Sequence, residues 1–178
     1  MREVFGEGMV VAYKRYKNIQ EHIFRARLYD TTQSNRPTRR AKKGWRKCGN
    51  CTTCHHSENK TRVLCHATGE AFQITQDICC KDRRTLYIIE CRKDHLQYVG
   101  KSVQPLIDRG RQHVNAVPSL THNNKLYNHF STNGHSHADM LIFGIERVHG
   151  DDFVLAARER FYIDKFETIH KGLNNNRT

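Results

Sequence analysis

The sequence predicts an α/β chain with a small antiparallel sheet of about three strands flanked by helices, preceded by a basic arm and a cysteine-rich module. Three observations carry this. The charge is uneven, the cysteines bunch between Cys48 and Cys91, and residues 85 onward alternate β-rich runs with helical segments in the order ββααβα.

A length of 178 residues suits one domain with an appendage. The net charge is +12, and residues 1–47 hold 13 Lys/Arg against 4 Asp/Glu, so +9 of it lies there; the remainder has 17 against 14. A basic arm ahead of a nearly neutral domain is what attraction to a phosphate backbone calls for. For residues 30–47 a solvated, disordered tail is the alternative. The reading divides the chain into a basic arm and linker (1–47), a cysteine-rich module (48–84) and a domain (85–178).

Within the arm, residues 9–29 mix apolar and basic positions, with Ile19, Ile23 and Ala26 on one face of a weak amphipathic helix. TTQSNRPTRRAKKGWRK has no period and reads as a linker. Its Arg39, Arg40, Lys42 and Lys43 are candidates for nucleic-acid contact or a nuclear-import signal, although such runs are usually solvated. No apolar run approaches the roughly 20 residues that span a bilayer, and no apolar leader opens the chain. The expectation is therefore an intracellular, nuclear protein without a membrane partner.

Residues 48–80 are polar and could hardly hold a fold without a metal or a neighbour. Cys48, Cys51 and Cys54 are spaced as zinc ligands. Cys65, His66, Cys79 or Cys80 could complete the tetrahedron, and Cys80 is preferred because it would tie the module to the hairpin that follows. Three close cysteines without metal are the alternative. A second set is Cys91, His95, His129 and His135, or else a strand cysteine with surface histidines.

Thr85–Glu90 and Gln97–Gly100 form a β-hairpin. Ser102 is positioned to cap a helix toward Asn115, with Pro105 in its first turn and Gly110 weakening its middle. Arg109 and His113, four apart, share its face. A second helix is expected over Asn124–Thr132, stopping at Gly134. Met140–Val148 is a third strand, and Asp151 or Asp152 caps a helix to Glu167. On that helix Leu155, Tyr162, Ile163 and Phe166 form an apolar stripe, and Glu159 falls on it. A carboxylate there must be paired, protonated or metal-bound. An ion pair with an arginine is the ordinary explanation.

Tyr87, Tyr98, Arg109, His113, Glu159 and Asn174 thus occur in one order, with residue types suited to breaking a phosphodiester. A phenol moves a proton, a guanidinium holds phosphate and a carboxylate holds a metal. Taken singly, each tyrosine would be read as strand packing and Asn174 as a turn residue. The ordered set TLY, YVG, RGRQH, ARERFYI and GLN, spanning residues 85–174, resembles the GIY-YIG endonuclease domain, with Thr85 and Leu86 where its first motif has Gly and Ile.

The resemblance implies a GIY-YIG-like fold and a metal-dependent DNA endonuclease. Tyr87 would be the general base or a water-positioning phenol and Tyr98 its partner. Arg109 would clamp the phosphate and His113 would bond Tyr87 or the attacking water. Glu159 would bind one Mg²⁺ or Mn²⁺, and Asn174 would fix the local geometry. Lys101 is a further phosphate contact or simply solvated. A phenol of pKa about 10 is a poor base at neutral pH, so a cation and a metal would have to lower it.

KRYKNIQEHIFRARL, GWRKCGNCTTC, Cys91 and the later histidines resemble more narrowly the endonuclease part of Penelope-like retroelements. That likeness implies target-primed integration with a reverse transcriptase and its RNA as partners, and a zinc site of two cysteines and two histidines. Here Asp94 and His95 fall where the second cysteine would be, and His95 could replace it. No polymerase precedes the domain, so a C-terminal fragment, a truncated copy or a free-standing descendant is expected. The rival reading is a non-catalytic, zinc-stapled nucleic-acid-binding protein derived from such a nuclease. An enzyme acting on free nucleotides is disfavoured by the charge asymmetry and the lack of a Gly-rich phosphate loop.

Overall fold

Seven consecutive buried residues, Thr85–Cys91, form the central strand of the molecule. A computed structural model describes residues 43–118, 124–132 and 134–175. The amphipathic stretch 9–29 and the basic residues Arg39, Arg40 and Lys42 lie outside them; Lys43 is described and exposed. The described residues belong to one compact unit, 40–178.

The elements run β1 (Gly44–Arg46), α1 (Thr52–His55), β2 (Arg62–Leu64), β3 (Ala71–Gln73), β4 (Asp77–Cys79), β5 (Thr85–Cys91), β6 (Gln97–Ser102), α2 (Leu106–Ala116), α3 (Lys125–Ser131), β7 (Met140–Arg147) and α4 (Asp152–Lys165), with a 3₁₀ turn at His137–Asp139. Strands β6-β5-β7 make an antiparallel sheet, β1 pairs with β4 in parallel and β2 with β3 antiparallel. The fold is α/β as expected. Among the described residues no helix is long and apolar enough to cross a membrane.

Both edges of the central sheet are covered. Outside β6, Asn174 accepts from Val99 N and donates to Val99 O, each at 2.9 Å, and Leu173 N donates to Gln97 O. Outside β7, Ile142 N donates to His56 O, and Gln76 bonds both the N–H and the carbonyl of Arg147. Unpaired strand edges invite intermolecular pairing, and here the tail and the cysteine segment satisfy them.

Residues 44–80 share the sheet's core. Trp45, Cys54, Val63, Cys65, Ile74, Ile78 and Cys80 are buried in one cluster with β5 and β7. The linker expected to run to Lys47 gives way to a strand at Gly44, because Trp45 is almost completely buried. Gly144 leaves room for this packing: a Cβ there would come within 3.0 Å of Trp45 and Ile78.

Helix α2 starts later than Ser102, which ends β6 and turns its hydroxyl onto Gln104 O. Pro105 is the N-cap, and the Leu106 and Ile107 amides donate to Asp82 O and Cys80 O. Backbone carbonyls thus replace a capping side chain. Gly110 is a contact point more than a weakness, since a Cβ there would sit 2.2 Å from Thr53 Oγ1. Helix α1 rests on α2 at this spot, with the Thr53 hydroxyl on Leu106 O at 3.2 Å. Asn124 caps α3 and Asp151 caps α4 through side-chain acceptance.

Candidate active site

Tyr87 faces glycine on both neighbouring strands, Gly100 on β6 and Gly144 on β7, with a bulge in the β5–β7 register just before it. A Cβ on Gly100 would lie 2.6 Å from the Tyr87 hydroxyl and 2.7 Å from the Tyr98 ring. The glycine of the YVG run is therefore space for two tyrosines. Arg109 and His113, one turn apart on α2, reach the same phenol: His113 Nε2 is 2.7 Å from the Tyr87 hydroxyl, and Arg109 Nε donates to it at 3.1 Å. On its other side His113 Nδ1 meets the Tyr127 hydroxyl at 3.1 Å.

Tyr87 is fully buried and His113 nearly so. Burial pushes the Tyr87 phenol well above its ordinary pKa, Tyr98 adds to this, and the Arg109 guanidinium offsets only part. Burial and then repulsion from Arg109 lower His113 to about 3. Burial also raises Tyr98 and Tyr127, against the opposing pull of Arg109. Near neutral pH the phenols and the imidazole are thus uncharged. A neutral imidazole donates through one nitrogen and accepts through the other, so Tyr87, His113 and Tyr127 form one directional hydrogen-bonded chain. It can pass a proton but supplies no strong base.

Tyr127 was not singled out from sequence. The available signal was slight: it adjoins Leu126 on a helix whose buried residues are Leu126 and Phe130.

Glu159 is one of three buried residues on α4, with Leu155 and Ile163. Its Oε2 pairs with Lys101 Nζ at 2.8 Å, so the observed cationic partner is a lysine of β6. Lys101 also lines a groove with Arg83, Ser102, Val103, Gln104 and Arg109. Three cations along one groove suit an anionic backbone. Among the described residues no cluster of three metal-binding side chains includes Glu159. One carboxylate suits an ion such as Mg²⁺, which keeps several waters and takes its remaining oxygens from substrate phosphates. Asn174 holds β6 at Val99, next to Tyr98.

The thiols of Cys48, Cys51, Cys54 and Cys80 converge. Neighbouring sulfurs lie 3.4–3.7 Å apart, and a tetrahedron with Zn–S bonds of about 2.3 Å has edges of about 3.8 Å. All seven cysteines are unpaired. Burial pushes Cys48 up to about 11 and raises Cys80. Cys54 is also pushed up by burial, yet hydrogen bonds from the Cys51 backbone and from neighbouring thiols carry it to about 6. The donor set, spacing and absence of disulfides fit a structural zinc ion. Cys65 lies elsewhere, 3.9 Å from Lys165 O.

The second expected set is rearranged. Cys91, Asp94, His129 and His135 come together, with Cys91 Sγ 3.3 Å from His135 Nδ1 and Asp94 Oδ1 3.4 Å from His129 Nε2. His95 is not among them; it gathers with His66 and Glu90. Alternation along β5 explains the division, since Glu90 and Cys91 point to opposite faces. Asp94 turns to the Cys91 side, whereas His95, in the left-handed backbone region at φ 61°, turns to the Glu90 side. The sequence made these two neighbours interchangeable as ligands; the turn separates them.

No family model matches the chain, and no curated protein matches it. Among solved structures the chain is similar to the catalytic domain of the intron endonuclease I-TevI, in a mutant form, at 19% identity and a TM-score of 0.47, over 52% of this chain and 93% of that one.

Proposed function

We propose that this chain is a divalent-metal-dependent endonuclease of the GIY-YIG type that nicks DNA by phosphodiester hydrolysis. The observation that carries the reading is the Arg109–Tyr87–His113 network, whose Arg109 lines one groove with Lys101, the ion-pair partner of Glu159. Arg109, fixed through its Nε, presents its guanidinium to the scissile phosphate. Tyr87 serves as a neutral phenol that orients Arg109 and His113, because burial disfavours the phenolate a general base would need. Tyr98 sits beside it across the hairpin, and Tyr127 holds the far nitrogen of His113, fixing the tautomer that accepts from Tyr87. Glu159 would hold one Mg²⁺ or Mn²⁺, which stabilises charge on the phosphoryl oxygens. Lys101, paired with Glu159 here, would be released toward phosphate were an ion to take the carboxylate. Asn174 keeps β6 in register.

The zinc-fitting cluster of four cysteines and the basic arm, including Lys43, hold the duplex. In the narrower reading the nick primes integration of a Penelope-like retroelement, in the nucleus and with a reverse transcriptase and its RNA.

A second reading, a non-catalytic nucleic-acid-binding protein, draws on two observations: Lys101 already neutralises Glu159, and Tyr87 is sealed from solvent. Nicking of supercoiled plasmid in Mg²⁺ or Mn²⁺ separates the two. Wild type should nick, and Glu159→Ala and Arg109→Ala should each lose about 10²-fold or more while still binding DNA. Binding by the wild type with no nicking in either metal replaces the first reading with the second.

A further inference from the structure

On the sheet face opposite Tyr87, Glu90 is 7% exposed yet carries a carboxylate. Its Oε2 accepts from Gln97 Nε2 at 2.9 Å and lies 3.7 Å from His66 Nε2; its Oε1 lies 3.9 Å from His95 Nδ1 and 3.7 Å from Lys60 Nζ. Gln97 is itself fixed, donating to Leu64 O and accepting from His66 N. The carboxylate is therefore aimed by a neighbour whose amide is fully engaged, as the outer partners of metal ligands are. The His66 and His95 rings stack beside it, centroids 4.6 Å apart.

An independent observation comes from a groove beside the two rings, lined by His66, His95, Gln97, Thr168 and Lys171 among others. Thr168 is 1% exposed, and its Oγ1 has no hydrogen-bond partner among the described residues. A buried hydroxyl left without a partner keeps its full desolvation penalty, so such groups normally face a water or a ligand.

We infer that His66, Glu90 and His95 form a further metal site, taking a zinc-class divalent transition ion through two imidazoles and one carboxylate, with a water in the fourth position bonded to Thr168. Donor atoms of the three residues lie within 4.8 Å of one another. A tetrahedral shell with bonds of about 2.0–2.1 Å draws donors to about 3.4 Å, so the three donors close in from their 4.8 Å spread on binding. An ion must lie in the plane of each ring it binds, so the stack opens on binding; His95, whose side chain is 54% exposed, is the ring that swivels. Lys60 gives up Oε1 and keeps its place over the Phe143 ring. The ion would tie the turn between β2 and β3 to β5 and to the exit of α4. This site is independent of the cleavage reading.

Cobalt titration of the full chain tests it, because thiolate ligands give charge-transfer absorption and an imidazole–carboxylate site gives ligand-field bands alone. His66→Ala and His95→Ala alter exposed rings and should each bind one equivalent of Co²⁺ fewer than wild type, with the charge-transfer absorption unchanged. Equal stoichiometry in all three proteins overturns the site. A drop in charge-transfer absorption in His95→Ala also overturns it, returning His95 to the Cys91 cluster.

Discussion

The segment from Gly44 to Cys80 and the central sheet share one core but are held by different physics. Strand β5 is buried along its whole length between two neighbours. The strands of the cysteine segment are three residues long, and β2 and β3 bury little beyond Val63. Two-stranded ribbons of that length are not stable alone. In the zinc reading, an ion held by the four converging thiols would supply what apolar burial cannot, while Trp45 and Ile78 supply the attachment. The sheet should therefore survive treatments that dissolve the segment, whereas the segment should not survive loss of either the ion or its seat.

The sharpest way to break the comparison is removal of zinc. Apparent binding energies for structural zinc in zinc-finger peptides are about 10–16 kcal/mol. Chelation, or Cys54→Ser, should unfold residues 44–80 while amides of β5 stay protected from hydrogen exchange. Loss of protection in both regions together would mean that the sheet depends on the ion as well.

The seam between the regions comes next. Gly110→Ala forces a methyl group onto Thr53 and should destabilise the domain by about 1–3 kcal/mol in urea unfolding. Thr53→Ala in the same chain removes the clashing hydroxyl and should restore part of the loss; no restoration would place the cost elsewhere.

Against the sheet, His113 of α2 makes stability depend on pH. Its folded pKa, lowered to about 3 from an ordinary value near 6.5, means that the unfolded chain binds a proton between those pH values and the folded chain does not. This contribution is fully present above pH 6.5 and is lost as pH falls toward 3, at up to about 1.4 kcal/mol per pH unit. Wild type should lose about 2 kcal/mol between about pH 6.5 and about pH 5 on this account. His113→Gln should flatten that part of the profile, and an unchanged slope would assign it to other groups.

The smallest effect is expected at the sheet's edge. Asn174→Ala removes both bonds to Val99 and should cost about 1–2 kcal/mol in unfolding free energy. Faster exchange of the Val99 amide would locate the change on β6.

Much of the site was legible because the residues concerned lie on regular elements. The spacing of Arg109 and His113 puts them on one helical face, and both do reach Tyr87. Leu155, Glu159 and Ile163 repeat every four residues, and all three are buried. Tyr127 escaped because it comes from a helix whose position depends on segments distant in sequence. Ser102 failed as a cap for a similar reason: the α2 amides are satisfied by Asp82 and Cys80 carbonyls, which no local pattern announces.

By itself the sequence determined the elements from residue 85 onward, the thiolate spacing of the cysteine segment and the uneven charge. These depend on side-chain period and residue chemistry within short windows. Tertiary structure decided what each group meets. It sealed Tyr87 and so raised its pKa, it paired Glu159 with Lys101, and it made Gly110 a docking point. It also sent Asp94 and His95 to different faces of the sheet. Those outcomes turn on desolvation, on which groups meet across segments and on one left-handed residue in a turn, none of which sequence spacing encodes.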